Sequence, residues 1–377
     1  MRRISLPPRP DWRARVEALD MRYAVIDGRL YWNESACYCL TRSDIDSLEQ
    51  CSRELHSMYM AAAQYAFENE LLGKLGIDEQ MAEAAWHSWE RDDPYLYGRF
   101  DLAYNGIDPP KLLEYNAQTP TALLEAAIVQ RAWQQECFPD RGQWNRVDDA
   151  LTERWRWMRK VMEWPEGMLL HFAGVAESIE DRGNIAYLQK TAERAGFTTT
   201  FVPSEQIGWH HFRKQFVDTE NRKIHAIFNL LPYEWDGEEV QRQLRISDTI
   251  FLEPPWKMVL HSKGMLALLW QLFPGHPNLL PTSFERPLTS QWVSKPLFSR
   301  EGANIRIHSN AGETVTPGEY DNYPVIYQSF NPLPTMEGMH PVIGSWMIGN
   351  EACGFGIRED PTLVTGNLSC FVPHVLA

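Results

Sequence analysis

Between Arg99 and Asn116 the hydrophobic pattern changes from helical to alternating, and this switch constrains the fold more than any other feature. The runs RFDLAY and KLLEYN suit strands, and they are joined by NGIDPP. Asn105-Gly106 is a tight-turn signal, and the two prolines cannot continue a ladder. The spacing predicts an antiparallel hairpin over 99–116. Side chains alternate across a strand, so Arg99 and Asp101 share one face while Phe100, Leu102 and Tyr104 take the other. On the partner strand Glu114 and Asn116 share a face, opposite Leu113 and Tyr115. Two carboxylates and an amide oxygen can then converge beside a guanidinium. Hard oxygen donors of this kind suit Mg²⁺, which takes its remaining ligands from water and phosphate. The same residues also fit an ordinary Arg–Asp surface pair.

On either side of the hairpin the chain reads as helix before and mixed structure after. Asp44 to Leu75 reads as one helix, with Leu48, Cys51, Leu55, Met58, Ala62 and Tyr65 on a single face. Ser43 or Asp44 would cap its start, and Gly76 follows its last apolar residues. Further helices are expected over Gln80–Glu90, within Thr121–Phe138, and after the polar run that begins at Arg141. Near Pro165 the pattern changes to LLHFAGVA, IAYLQKTAERAGF, TTTFVPS and HAIFNLLP, a βαβ unit with a parallel sheet. HSKGMLALLWQLF is helical, and from about Gln291 the chain is rich in strands. The expected class is α+β with a βαβ insert. Its segments are a helical region with the hairpin (1–165), a βαβ lobe (166–245) and a β-rich lobe (246–377).

Charge and composition exclude several partners. With 36 Lys plus Arg against 50 Asp plus Glu, the net charge is −14. A field of that sign repels phosphate backbones and anionic lipid, and no basic stripe offsets it, so no nucleic-acid or membrane partner is expected. No window approaches the ~18 apolar residues of a membrane span. MRRISLPPRPDW lacks the apolar core of a secretory signal, and the six scattered cysteines read as reduced thiols, so a cytoplasmic protein is expected. The eleven histidines never fall at HxxxH or HExxH spacing, which argues against zinc. The fifteen tryptophans, Trp86 and Trp89 among them, read as core filling. Trp155 and Trp157 are expected on different sides of one helix.

Two more segments carry charge in suggestive places. VSKPLFSREGANIRI (Val293–Ile307) sets Lys295 on a strand before the turn Ser299-Arg300-Glu301-Gly302. A glycine turn between strands, flanked by Lys295, Arg300 and Arg306, can fold over phosphates with its backbone N–H groups. It also fits a hairpin with solvated charges, and neither GxxxxGK[ST] nor a helix-opening GxGxxG occurs. CGFGIRED (Cys353–Asp360) places Gly354 and Gly356 near Arg358, whose bland reading is a salt-bridge partner. Lys263, in HSKG near a helix start, reads by itself as a solvated charge. Glu180 and Asp181 form an acidic loop that could attract a cation or simply be solvated.

Taken together, YGRFD (Tyr97–Asp101), KLLEYNAQTPTALLE (Lys111–Glu125), SKPLFSREGANI (Ser294–Ile305) and GFGIRED with TGNLSCFVPH (Gly354–His374) resemble the glutathionylspermidine synthetase-like family. That family is a branch of the ATP-grasp carboxylate–amine ligases, and the resemblance runs from about Trp12 to His374. It implies a permuted ATP-grasp-like fold in which the metal hairpin precedes a glycine-rich lid. Asp101, Glu114 and Asn116 would bind Mg²⁺. Arg99 would contact the acyl-phosphate region and the terminal phosphate, with Arg358 close to the transferring group. Lys263 and Lys295 would hold ATP phosphates, with Arg300 and Gly302 in the lid at Ser299–Asn304. Gln328, after the strand PVIY, would lie at the adenine-side hinge. Thr119 and Thr121 would hold a thiol-peptide acid, with Glu180 and Asp181 attracting the amine. The implied activity is ATP- and Mg²⁺-dependent amide formation between a glutathione-like carboxylate and a polyamine-like amine through an acyl phosphate. The alternative is a catalytically inactive ATP-binding sensor of the same fold. Some members carry an amidase domain with a catalytic cysteine. Cys37 and Cys39, read as a strand running into a loop, do not resemble that site, so no amidase activity is expected.

Overall fold

Thr41 starts the longest helix, α1 (Arg42–Glu68), through a reciprocal cap. Its Oγ1 accepts from Asp44 N at 3.2 Å while Asp44 accepts from Thr41 N at 2.7 Å, so two orphan donors of the first turn are satisfied. The cap is therefore Thr41, neither Ser43 nor Asp44. The helix also stops short of Leu75: Glu70 takes a left-handed φ of 54°, and a separate 3₁₀ turn covers Gly73–Leu75. This computed structural model describes all 377 residues. Helix α2 (Glu79–Glu90) follows, capped by Asp78. Trp89 stacks on Phe67 at 4.8 Å, whereas Trp86 is 39% exposed and is not core.

The hairpin is β1 (Tyr97–Ala103) and β2 (Lys111–Asn116). The run beyond it opens as a π turn, Glu125–Val129, before becoming α3 (Gln130–Cys137), and α4 covers Val147–Val161. On α4 Trp155 is buried and Trp157 exposed, as their spacing requires. The βαβ unit is β3 (Leu169–Gly174), α5 (Ile179–Arg194) and β4 (Thr198–Pro203). Two further parallel strands, β5 (Ala226–Asn229) and β6 (Ile250–Leu252), complete a sheet of order β6-β5-β3-β4. Helix α6 (Gly264–Leu272) is apolar all round and mostly buried.

The remaining chain is mainly β. A second sheet contains β7 (Trp292–Pro296), β8 (Arg306–Ser309), β9 (Gly312–Val315) and β10 (Val325–Ser329), with Thr282–Ser283 at its edge. Strands β11 (His340–Ile348), β12 (Glu351–Asp360) and β13 (Cys370–Val372) return to the hairpin and form the sheet β13-β12-β11-β1-β2. The hairpin thus rests on a strand far away in the chain, since Gly344 pairs with Asp101. Its even-numbered face, Phe100 and Leu102, packs with Tyr115 against Tyr59 of α1, with ring centroids at 4.1–5.6 Å. That face is apolar, so the polar face is held rigidly toward the other side.

Cys37 and Cys39 lie wholly within the strand Ala36–Leu40 and are buried, rather than running into a loop. All six cysteines are free. No helix is long and apolar enough to cross a membrane.

Candidate active site

Register brings the polar face together. Arg99 stands opposite Asn116 and Asp101 opposite Glu114, with a bulge after Asp101. Arg99 grips Asp101 with two bonds, Nε to Oδ1 at 2.7 Å and Nη2 to Oδ2 at 3.1 Å. Its Nη1 donates to the Thr121 carbonyl at 2.7 Å. From β12, Arg358 Nη2 reaches Asp101 Oδ2 at 3.3 Å. Asn116 turns its Nδ2, not its oxygen, toward Asp101 Oδ2 (3.3 Å) and Glu114 Oε1 (3.4 Å). Just before α6, Lys263 Nζ lies 3.2 Å from Glu114 Oε2 and donates to the Ser299 carbonyl at 2.8 Å. Lys295 donates to Leu113 O and to Gln328 Oε1, both at 2.8 Å. Gln328 lies inside β10 rather than beyond the strand. Arg306 is the exception among the expected cations: it points outward and pairs with Glu313 at 2.9 Å.

These contacts set the ionisation of the site. Burial works against a charged Glu114, but the ammonium groups of Lys263 and Lys295 outweigh it and hold the carboxyl at about 2. Burial pulls the Lys295 ammonium down to about 8, against the charge of Glu114. Arg99 is pulled down by burial and up more strongly by Asp101, and its pKa is raised. No group of three or more His, Cys, Asp or Glu side chains converges to hold a metal. Two carboxylates and an amide, with cations crowded around them, fit an ion such as Mg²⁺ that shares its coordination with bound phosphate oxygens.

Two cavities meet at this face. One is walled by Leu280, Val293, Ile305, Ile307, Leu333 and Val342 and also lined by Asp101, Glu114, Lys263, Lys295 and Gln328. Its apolar wall and the ammonium groups of Lys263 and Lys295 suit an apolar ring with an anionic tail. The other is polar and lined by Arg99, Thr119, Thr121, Glu180, Asp181, Arg300 and Arg358. Glu114, Gly302 and Thr365 line both cavities. The turn containing Gly302 borders both. Gly302 has a φ of 69°, and a Cβ there would lie 2.7 Å from Thr365 O, so only glycine fits without strain. Thr119 Oγ1 is buried on the polar wall with no hydrogen-bond partner, which marks a place for a ligand group.

The sequence reading missed Glu234 and Trp235. They follow β5: Trp235 lines the polar cavity, and Glu234 meets the cavity residue Arg300, whose Nη2 is 3.5 Å from Glu234 Oε1 and whose guanidinium lies over the Trp235 ring. Val175 and Ser178, after β3, join them on the wall. All four lie beyond the carboxyl ends of parallel strands, where open α/β sheets place ligands. That rule applied to the predicted βαβ unit could have found them.

The glutathionylspermidine synthase preATP-grasp family model matches residues 3–377. A Haemophilus influenzae protein provisionally named acid–amine ligase is 38% identical over 99% of both chains. Trypanothione synthetase of Crithidia fasciculata is 26% identical over 83% of this chain and 52% of its own length. The Escherichia coli bifunctional glutathionylspermidine synthetase/amidase is 24% identical over 90% of this chain and 59% of its own length. The present chain thus spans little more than half of these last two relatives. Among solved structures, a glutathione synthetase-like effector from Globodera pallida in apo form superposes with a TM-score of 0.59 over 97% of this chain and 96% of its own, at 10% identity. The mixed helix-and-strand fold is therefore glutathione synthetase-like, and the protein falls among the ATP-dependent ligases that form C–N bonds. It belongs to the glutathionylspermidine synthase preATP-grasp family.

Proposed function

We propose that the chain couples ATP hydrolysis to amide formation between a glutathione-like peptide carboxylate and a polyamine-like amine. The observation that carries this reading is the meeting of an apolar, cation-ended cavity and a polar cavity at Glu114 and Gly302. A nucleotide in the first would present its terminal phosphate to an acid in the second. ATP-grasp architecture, with the metal hairpin ahead of the lid, is part of the same proposal.

A carboxylate is a poor acyl donor because its oxygen leaves badly. Transfer of the γ-phosphoryl group breaks the bond to the β-phosphate oxygen, releases ADP and makes an acyl phosphate. The amine nitrogen then attacks the carbonyl carbon, the C–N bond forms, and phosphate departs. Positioning and charge neutralisation dominate such a transfer. Lys263 and Lys295 hold the phosphate tail, and Gln328 sits beside the base. Arg99 and Arg358, both already on Asp101, orient the acid's carboxylate and the group transferred to it. Thr119 and Thr121 receive the peptide acid. Glu180 and Asp181 draw in the cationic amine, and Arg300 and Gly302 close the turn against water. Asp101, Glu114 and a rotated Asn116 would hold Mg²⁺, which when bound neutralises charge on the phosphate oxygens.

The test is ADP release by purified protein with Mg²⁺-ATP, glutathione and spermidine, with the amide identified by mass spectrometry. ADP release that needs both acid and amine supports the reading. Nucleotide binding with no turnover across acid–amine pairs would instead favour an ATP-binding sensor.

A further inference from the structure

Arg300, on the turn between β7 and β8, is held by an incomplete contact. Its Nη2 is 3.5 Å from Glu234 Oε1, and its guanidinium carbon lies 5.5 Å from the centre of the Trp235 ring. Charge-assisted bonds usually close to about 2.7–2.9 Å, so this one is long. The Glu234 side chain is only 3% exposed. Two further atoms here, Arg300 Nε and Glu234 Oε2, are buried with no hydrogen-bond partner. Buried polar atoms are nearly always paired, and these are the two atoms that a side-on fork would join. Arg99 shows the completed form on Asp101, with Nε to Oδ1 at 2.7 Å and Nη2 to Oδ2 at 3.1 Å.

The surroundings leave Arg300 as the group that can complete the pair. His261 Nε2 stands 3.8 Å from Glu234 Oε1, too far for a hydrogen bond, and neither ring nitrogen has a partner. Burial, with Arg300 and Lys263 adding to it, pushes that imidazole well below its ordinary pKa, so it is neutral. Glu234 itself stands on a fixed base, the 3₁₀ turn Tyr233–Trp235. Tyr233 is buried, and its hydroxyl donates to the Glu253 carbonyl at 2.6 Å. The turn that carries Arg300 is fastened on both sides of it. Lys263 donates to the Ser299 carbonyl at 2.8 Å, and Gly302 lies so close to Thr365 that an added Cβ would be 2.7 Å from its carbonyl oxygen.

We infer that Glu234 is the positioning residue for Arg300, and that the fork between them is completed when a nucleotide fills the apolar cavity. This rests on the nucleotide site of the ligase reading above. Lys263 lines that cavity and holds the turn through Ser299, so phosphates drawn to its ammonium act on the turn directly. The movement needed is small: shortening 3.5 Å to the charge-assisted range takes under about 1 Å. A ligand shifts such an equilibrium only by binding the closed arrangement better, and phosphate contacts to the turn supply that difference. A fork through Nε and Nη2 leaves Nη1 for an anion in the polar cavity, which Arg300 lines. The Trp235 ring fixes the plane of the guanidinium while this happens. Glu234 thus ties the turn to the βαβ lobe and keeps water from the phosphates.

The experiment is amide hydrogen exchange of the segment Ser299–Ile305, read by mass spectrometry with and without Mg²⁺ and a non-hydrolysable ATP analogue. Calorimetry on the same samples shows whether the analogue is bound. In the wild type the analogue should slow exchange of this segment. Glu234→Gln keeps the shape and removes the charge, and should lose about tenfold or more of that protection, the effect of one charge-assisted bond. Protection of the hairpin Tyr97–Asn116 should stay as in the wild type. Arg300→Lys keeps a charge but cannot form a fork; it should lose the same amount, and it serves as the test if Glu234→Gln does not fold. The double variant should lose no more than either single one, since both remove the same contact. A glutamate with only a structural role would speed exchange across the chain without nucleotide and give additive losses, and that pattern overturns the inference. Equal protection in wild type and Glu234→Gln overturns it as well. Failure of the wild type to bind the analogue would instead refute the ligase reading.

Discussion

Lys263 Nζ stands 3.2 Å from Glu114 Oε2 while donating to the Ser299 carbonyl, so one ammonium ties the hairpin to the turn bordering the two cavities. It is also the largest influence favouring an ionised Glu114. Lys263→Met should weaken nucleotide binding by at least about tenfold, since charge-assisted bonds contribute roughly 1.5–3 kcal/mol. Calorimetry with Mg²⁺-ADP measures this, and an unchanged affinity would remove Lys263 from the phosphate site.

Gly344 predicts a second effect. It pairs with Asp101 across β11 and β1, and a Cβ there would lie 2.8 Å from Arg99 Cδ. Arg99 cannot step aside easily, because three hydrogen bonds pin it. Gly344→Ala should therefore destabilise the protein by about 1–3 kcal/mol, as overpacking does, and lower kcat through displacement of Arg99. Urea unfolding alongside turnover tests both parts.

The start of β1 rests on a buried ion pair. Glu253 accepts from Leu96 N at 3.0 Å and Tyr97 N at 2.9 Å, and Lys257 Nζ lies 2.6 Å from its other oxygen. Lys257→Met leaves an uncompensated buried carboxylate and should cost about 3–5 kcal/mol. The double variant Lys257→Met/Glu253→Gln should recover part of that loss in chemical denaturation. A double variant no better than the single would contradict the electrostatic account.

Stability should also respond to His374. It is fully buried, with Nδ1 donating to Gln130 Oε1 at 3.0 Å, and burial lowers its pKa to about 4. Between about 4 and the ordinary value near 6.5 the unfolded chain holds a proton that the folded chain does not. This group therefore makes stability fall as pH drops through that window, by up to a few kcal/mol in all. His374→Gln should flatten the dependence of urea midpoint on pH between 4.5 and 6.5 relative to wild type. An identical slope would show that His374 does not contribute.

The hairpin was legible because its period of two, its turn residues and its apolar face all agree, and Arg99, Asp101, Glu114 and Asn116 follow from alternation. Lys263, Lys295 and Arg358 could be read only as cations, because their convergence depends on α6, β7 and β12 packing around the hairpin. Arg306 is close to them in sequence alone. In the structure it faces outward to Glu313 across the β8–β9 pair. Glu234 was illegible for another reason: it follows an apolar run, and nothing local shows that Arg300 will meet it. The stop of α1 at Glu68 was hidden as well, since the apolar pattern continues through a left-handed residue.

The most direct test of carboxylate activation uses glutathione whose carboxylates carry a heavy-oxygen label, with Mg²⁺-ATP and spermidine. If the acid is phosphorylated before the amine attacks, one labelled oxygen must leave with the inorganic phosphate, and ADP must be the nucleotide product. Unlabelled phosphate, or release of AMP and pyrophosphate, would contradict the account.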